Sequence, residues 1–327
     1  MAKTLAAQKQ VDFKKRLILA IAKCLISGGL LFWAIRSTNL TDIGQAVSSA
    51  HIHFLLAAVV TYSFSYYIRS HRWQVLLKAQ KVKANVLFLF RSYMVSIFFS
   101  NFLPSTIGGD VIRGYDIWRL SGNKSIATAT VFVDRFLGLL ALLMFVLLDL
   151  LFSQELTANL PMLLVWVILA TFTILVIASW LLKHSQSILN LLNQNQLPWL
   201  GKLQGSLERI ISTFLTFGKR QTALRNAFGW SILVQIAVIS HYYLIAQSLN
   251  FEVPFTTFFL IIPIATLIVM LPVSINGIGI RENTFVFLFG TYGHNIDRPE
   301  AVAFAWIAYG ITILQGVVGG IIYSLRK

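Results

Sequence analysis

Six stretches of this chain, at residues 17–35, 51–68, 125–151, 160–182, 228–249 and 300–325, are apolar over nearly the length of a bilayer core. A helix needs roughly 20 such residues to cross it. With 57% hydrophobic and only 12% charged residues, the chain cannot be read as a soluble globule. The fold class expected is an all-α polytopic membrane protein with about six to eight transmembrane helices. The basic residues 1–16 followed by an apolar run look like a secretory signal. No small-residue cleavage site follows and the run is long, so 17–35 is read as an uncleaved first span. The single cysteine, Cys24, excludes an internal disulfide.

The net charge of +15 raises the question of nucleic acid, but its distribution answers it. Of 27 Lys and Arg residues, 21 crowd into 3–16, 69–83, 113–124, 183–225 and the last two positions. The connections at 36–53, 149–160 and 291–300 carry only Arg36 and Arg298. Alternation of this kind is the positive-inside rule. The basic loops and both termini are therefore expected in the cytoplasm, with no nucleic-acid partner.

Two further apolar stretches, 84–103 and 255–271, end in nearly the same words. One reads Leu-Pro-Ser-Thr-Ile-Gly-Gly-Asp-Val-Ile-Arg (103–113), the other Leu-Pro-Val-Ser-Ile-Asn-Gly-Ile-Gly-Ile-Arg-Glu (271–282). With Pro104 set on Pro272, Gly109 falls on Gly277 and Arg113 on Arg281. Loop charge makes the first stretch enter from the cytoplasm and return there, while the second enters and leaves on the outside. The halves 51–151 and 228–325 then read span–hairpin–span with opposite orientation. This is an inverted-topology repeat with two opposed re-entrant helical hairpins in one membrane domain, 1–327. Broken apolar segments at matching places in two halves are where transporters bind their substrates. Irregular backbone at that depth is tolerated only inside protein or along a wet cavity. Residues 183–227 join the halves. There Leu200, Leu203, Leu207, Ile210, Ile211, Phe214 and Phe217 recur at helical spacing, predicting an amphipathic helix on the cytoplasmic surface.

The breaks supply the candidate site. Gly108 and Gly109 permit unusual dihedrals and close approach, Ser105 or Thr106 caps the helix that follows, and Asp110 lies in its first turns, where the dipole favours an acid. Arg113 is three residues on, on the same face. Two readings stay open: a self-contained Asp–Arg pair, or an anion site of amides, hydroxyls and guanidinium at a half-helix N-terminus. In the second break Ser274, Asn276 and Gly277 take the corresponding places, and Ile278 replaces the acid. Arg281 and Glu282 are adjacent, so they point to different faces and do not pair with each other. A guanidinium fork suits phosphate, and apolar surroundings suit lipid tails. Asp134 and Arg135 sit early in an apolar span, tolerable only with a partner or a wet cavity. Neutralising Arg113 or Glu282 across helices is one role open to this Asp–Arg dipeptide; charge balance or proton coupling is another. His241 is read as a satisfied interior histidine, and Trp73, Trp118 and Trp199 as interfacial belt residues.

No G-x-S-x-G elbow, Walker loop, H-E-x-x-H or metal-spaced Cys or His set occurs, so neither an enzyme nor a metal or other cofactor is expected. Three motifs in order, residues 104–113, Asp-Arg-Phe-Leu-Gly-Leu at 134–139, and 272–282, resemble the lysylphosphatidylglycerol synthase transmembrane-domain family. That family includes the flippase half of multiple peptide resistance factors and many stand-alone proteins of about this length. The resemblance implies a flippase that moves a phosphate-bearing lipid between leaflets, whether a phospholipid, aminoacyl-phosphatidylglycerol or a polyprenyl-linked lipid. It marks Asp110, Arg113, Asp134, Arg135, Arg281 and Glu282 as candidates. Ending at Lys327 without the aminoacyl-transferase domain, the sequence reads as a stand-alone member that does not make the lysyl lipid. Membrane lipids are the expected partners, and homo-oligomerisation stays open. Two alternatives remain beside the flippase: a membrane-embedded lipid-phosphate transferase or phosphatase, and an accessory subunit of a lipid or glycan pathway.

Overall fold

Every regular element among the described residues is helical, as a solvent without hydrogen-bond partners demands. The computed structural model describes residues 40–102, 108–152, 220–271, 276–292 and 296–326, with Phe32, Leu169, Thr173, Phe217 and Ser274 as isolated positions. The expected spans 17–35 and 160–182, most of the linker 183–227, Ser105 and Thr106 lie outside them.

In chain order the helices are α1 (Leu40–Ser48), α2 (Ile52–Ala79), α3 (Val86–Phe102), α4 (Gly108–Ser121), α5 (Lys124–Phe152), α6 (Gln221–Ser248), α7 (Phe258–Val269), α8 (Ile280–Tyr292) and α9 (Arg298–Ser324). A short 3₁₀ turn, Phe255–Thr257, leads into α7. Because α6 begins at Gln221, the last residues assigned to the linker are its first two turns. Three helices are long and apolar enough to cross a bilayer, over 124–149, 221–248 and 298–324, while α3 and α7 are shorter apolar helices. The expected span 51–68 lies in α2 but falls outside that group. The helix runs on past Arg69 and Arg72, and these polar turns face inward. Its outer face carries Ile52, Leu56, Val60, Phe64 and Tyr67, all exposed at helical spacing, as a lipid-facing stripe would be.

Contacts between elements follow a pattern. α2 packs along α6; α3 packs on α9 as α7 packs on α5; and the breaks fold α3 back on α4 and α7 back on α8. An aromatic knot fills the second half: Phe304 meets Phe285 and Phe289 with ring centroids 4.9 and 5.0 Å apart. At the start of α9, the Asp297 and Glu300 side chains form a reciprocal capping box.

Close backbone approach fixes the first hairpin against α9. Gly316, Gly319 and Gly320 face α3, where a Cβ on Gly319 would collide with the Met94 carbonyl and one on Gly320 would lie 2.8 Å from the Phe98 ring. Small residues are what let membrane helices come this near. Gly319→Ala is therefore expected to cost about 1–3 kcal/mol by overpacking. Gly310→Ala, on an open face of the same helix, should be neutral or gain up to about 1 kcal/mol of helix propensity. Thermal unfolding in micelles compares the two, and equal midpoints would contradict the packing argument.

Candidate functional site

Charges that the sequence places far apart meet where α2, α4 and α5 converge. The Asp134 carboxylate accepts from Arg72 Nε on one oxygen at 2.7 Å, and from Arg113 Nη2 and the Tyr93 hydroxyl on the other at 2.8 and 2.7 Å. Arg113 Nη1 lies 3.3 Å from Asp110, whose second oxygen pairs with Arg135. The Arg113 guanidinium is clamped between Trp73 and Tyr93, 4.2 and 3.9 Å from their ring centroids. Arg72 also donates to Ser231 of α6 at 3.1 Å. Asp134, Arg72 and Arg113 are all nearly inaccessible.

Local sequence explains how these groups fit. Asp134 and Gly138 are one turn apart on α5, and the absent side chain at Gly138 leaves the lane through which Arg72 passes. Ser92, Ser96 and Ser100 form a stripe of small residues on α3. Gly109 seats its backbone against Ser96 and Ser100, so a Cβ there would strike both. Ser92 reaches Asp116 at 2.6 Å, and Asp116 also receives Arg326 from the end of α9 at 2.8 Å. Arg113 thus has its Nη donors occupied by two carboxylates and a tyrosine. In this arrangement it fastens α4 to α2, α3 and α5, and of its donors the buried Nε is left without a partner among the described residues.

The second break is built differently. Asn276, Gly277 and Gly279 all take positive φ, 51°, 77° and 81°, and a Cβ on Gly277 would lie 2.6 Å from Val269. Only residues tolerant of the left-handed region make such a turn at low cost. Glu282, at the third helical position of α8, folds back to accept the Gly279 N–H at 2.8 Å. This is one half of a capping box, and it satisfies an amide that would otherwise be orphaned. As expected, Arg281 and Glu282 turn apart. Arg281 Nη2 donates to the Asn276 carbonyl at 3.3 Å, and its guanidinium lies 4.8 Å over the Tyr309 ring. No carboxylate among the described residues is within ion-pair distance of it.

The second break meets the end of α3. Asn276 Nδ2 donates to Asn101 Oδ1 at 3.1 Å and to the Tyr309 hydroxyl at 3.3 Å, and Asn101 donates to the Thr312 carbonyl at 3.2 Å. Asn101 ends α3 just before the first break. Nearby, the buried Ser274 hydroxyl has no partner among the described residues. Of the sequence candidates, Gly108, Gly109, Asp110, Arg113, Asp134 and Arg135 gather in the first cluster. Ser274, Asn276, Gly277, Arg281 and Glu282 lie at the second break. His241 is satisfied in the interior: Nδ1 sits 2.9 Å from the Ala58 carbonyl and the ring stacks on Tyr62. Trp73, expected at the interface, is instead fully buried beside Arg113. Arg72, Tyr93, Asn101 and Tyr309 were not singled out by sequence.

Long apolar helices around buried ion pairs and broken segments define an integral membrane protein of helical type. Its family follows from the whole chain: it belongs to the family described as the lysylphosphatidylglycerol synthase TM region, whose model matches residues 20–320. It is also similar to UPF0104 membrane protein PH1989 of Pyrococcus horikoshii, at 24% identity over 94% of this chain and 96% of that protein.

Proposed function

We propose that this protein is a carrier, not an enzyme, that moves a phosphate-bearing lipid between membrane leaflets, with the phosphate held at the second break by Arg281. The observation that carries this reading is the meeting of the second break with the end of α3, at Asn276 and Asn101, beside a half-buried guanidinium that has no acid partner among the described residues. A cation left without a counter-charge at membrane depth is costly unless a ligand or water supplies one. Phosphate oxygens accept from the guanidinium fork, the Tyr309 hydroxyl and the Asn276 amide complete a polar seat, and the surrounding helices suit acyl chains. Membership of a family named for a lipid synthase supports a lipid cargo.

The contact pattern supports an inverted repeat of 51–151 and 228–325 within one membrane domain. α2 packs on its counterpart α6, and the α3–α9 pair has its counterpart in α7–α5. In this reading each hairpin is re-entrant, entering from its own face, and the tips abut at mid-membrane. Both termini face the cytoplasm across a bacterial-type inner membrane. Arg113, neutralised by Asp134 and Asp110, holds the first hairpin in shape, and the Asp110–Arg135 pair is the part of that cluster nearest solvent. Glu282 stiffens the turn from which Arg281 projects.

Vesicles reconstituted with the full chain and phosphatidylglycerol labelled on one acyl chain test the reading. Added dithionite should bleach nearly all the label, because inner-leaflet lipid keeps arriving outside. Bleaching that stops at the outer-leaflet share, as in protein-free vesicles, would overturn it.

A further inference from the structure

A second guanidinium in the interior shares the character of Arg281, and it lies outside both repeated motifs. Arg69, on α2, is half-buried, and no carboxylate among the described residues is within ion-pair distance. Its Nε is sealed from solvent and has no hydrogen-bond partner among the described residues, while its guanidinium lies 5.2 Å from the Tyr66 ring. One turn further along, Arg72 is consumed by Asp134 and Ser231. Two arginines three residues apart thus have opposite standing: one is spent on structure and the other has no ion pair among the described residues.

Between Arg69 and Arg281 runs a continuous row of polar rings. Tyr62, Tyr66 and Arg69 share one face of α2. The Tyr66 hydroxyl donates to that of Tyr62 at 3.1 Å, and Tyr62 stacks on His241 of α6 at 4.4 Å. His241 meets Tyr242 edge-on at 5.0 Å, and Tyr242 meets Phe285 of α8, one turn on from Arg281, at 5.7 Å. Beside this row, Gln315 of α9 donates to Ser63 at 3.0 Å, and its own carbonyl oxygen is buried without a partner among the described residues. Buried polar atoms are satisfied in stable interiors, so unspent ones along one seam mark where a ligand or water belongs. The row begins on the first half, at the end of α2 that carries the basic run 69–83, and finishes at the break of the second.

We infer that Arg69 is a second phosphate-binding position, joined to Arg281 by the Tyr66–Tyr62–His241–Tyr242 seam, so that a phosphate anion passes from one arginine to the other across the contact between the halves. This rests on the phosphate-carrier reading above and identifies its second cation as Arg69, in place of the neutralised Arg113. The Tyr62 and Tyr242 hydroxyls offer donors along the way, and a ring face stands by each guanidinium, Tyr66 by Arg69 and Tyr309 by Arg281.

The test uses the full chain in detergent micelles, with dihexanoyl-phosphatidylglycerol as the soluble probe and calorimetric titration as the readout. Arg69→Gln should weaken binding about tenfold or more, the value of a charge-assisted contact to phosphate. Arg91→Gln, which removes an exposed arginine of α3, should bind as wild type does. If the glutamine variant does not fold, Arg69→Lys is read instead. Loss of the planar fork predicts a several-fold weaker complex, and wild-type affinity in that variant overturns the inference. Inorganic phosphate added as competitor separates the two sources of the anion. Displacement that depends on Arg69 assigns the seat to free phosphate as well, and no displacement assigns it to the lipid headgroup. If Arg281→Gln abolishes binding and Arg69→Gln leaves it intact, the inference falls while the carrier reading stands. If wild type binds neither probe, both fall together.

Discussion

Asp134→Ala is expected to be the most damaging single substitution in the described structure, lowering stability by about 3–5 kcal/mol. One carboxylate neutralises two guanidinium groups that have almost no contact with solvent, and it also receives the Tyr93 hydroxyl. Its removal leaves Arg72 with only Ser231 and leaves Arg113 with one acid, Asp110, at a longer 3.3 Å, besides the neutral Tyr93 hydroxyl. Asp134→Asn keeps the shape and one acceptor but not the charge, so it should fall nearer to alanine than to wild type. A compensated variant separates charge from geometry. Asp134→Leu with Arg72→Met and Arg113→Met removes the buried ions together, and such replacements are often neutral or stabilising. It should recover most of the lost stability while Asp110 and Arg135 keep each other. Thermal unfolding in micelles, read with monodispersity on size exclusion, ranks the four proteins. A wild-type midpoint for Asp134→Ala would sink this account of the cluster.

How far the sequence led depends on what kind of signal each residue leaves. Asp134 stood out because an acid in an apolar span needs a reason. Its spacing to Gly138 carried the remaining hint, since an acid and a glycine one turn apart describe a face that takes a bulky partner. The partner Arg72 did not stand out. It sits in the run 69–83, where topology already accounts for every positive charge. Trp73 was misplaced for the same reason: α2 continues past its apolar half and turns these residues inward. The repeated breaks were legible because proline and glycine interrupt an apolar run in only a few ways. That the second break touches the end of α3 was not, because Asn101 is one neutral amide at the end of a run and its partner is supplied by the other half. The asymmetry of the repeat was visible, with Ile278 where Asp110 has its counterpart. Its consequence lies in three dimensions: Arg113 is neutralised by two acids and Arg281 by none among the described residues.

That asymmetry makes Arg281→Gln the most informative functional substitution. Arg281 contributes one long hydrogen bond to the Asn276 carbonyl and a ring contact to Tyr309, and no ion pair among the described residues depends on it. Its loss should therefore barely move the unfolding midpoint, in contrast to Asp134→Ala. In reconstituted vesicles, however, the rate at which labelled phosphatidylglycerol reaches the outer leaflet should fall by about 10–100-fold, the worth of one or two charge-assisted contacts to phosphate. Arg281→Lys keeps a point charge but loses the fork, so it should lie between the two. Asn276→Ala removes the bonds to both Asn101 and Tyr309, and with them the joint between the breaks. It should slow translocation too, but at some cost in stability, because a left-handed backbone position is poorly filled by alanine. A stable Arg281→Gln protein that moves lipid at the wild-type rate would leave the half-buried guanidinium without a role and remove the phosphate seat from the mechanism. A stable but inactive one would mean that this arginine stays without an acid because its counter-charge arrives with the cargo.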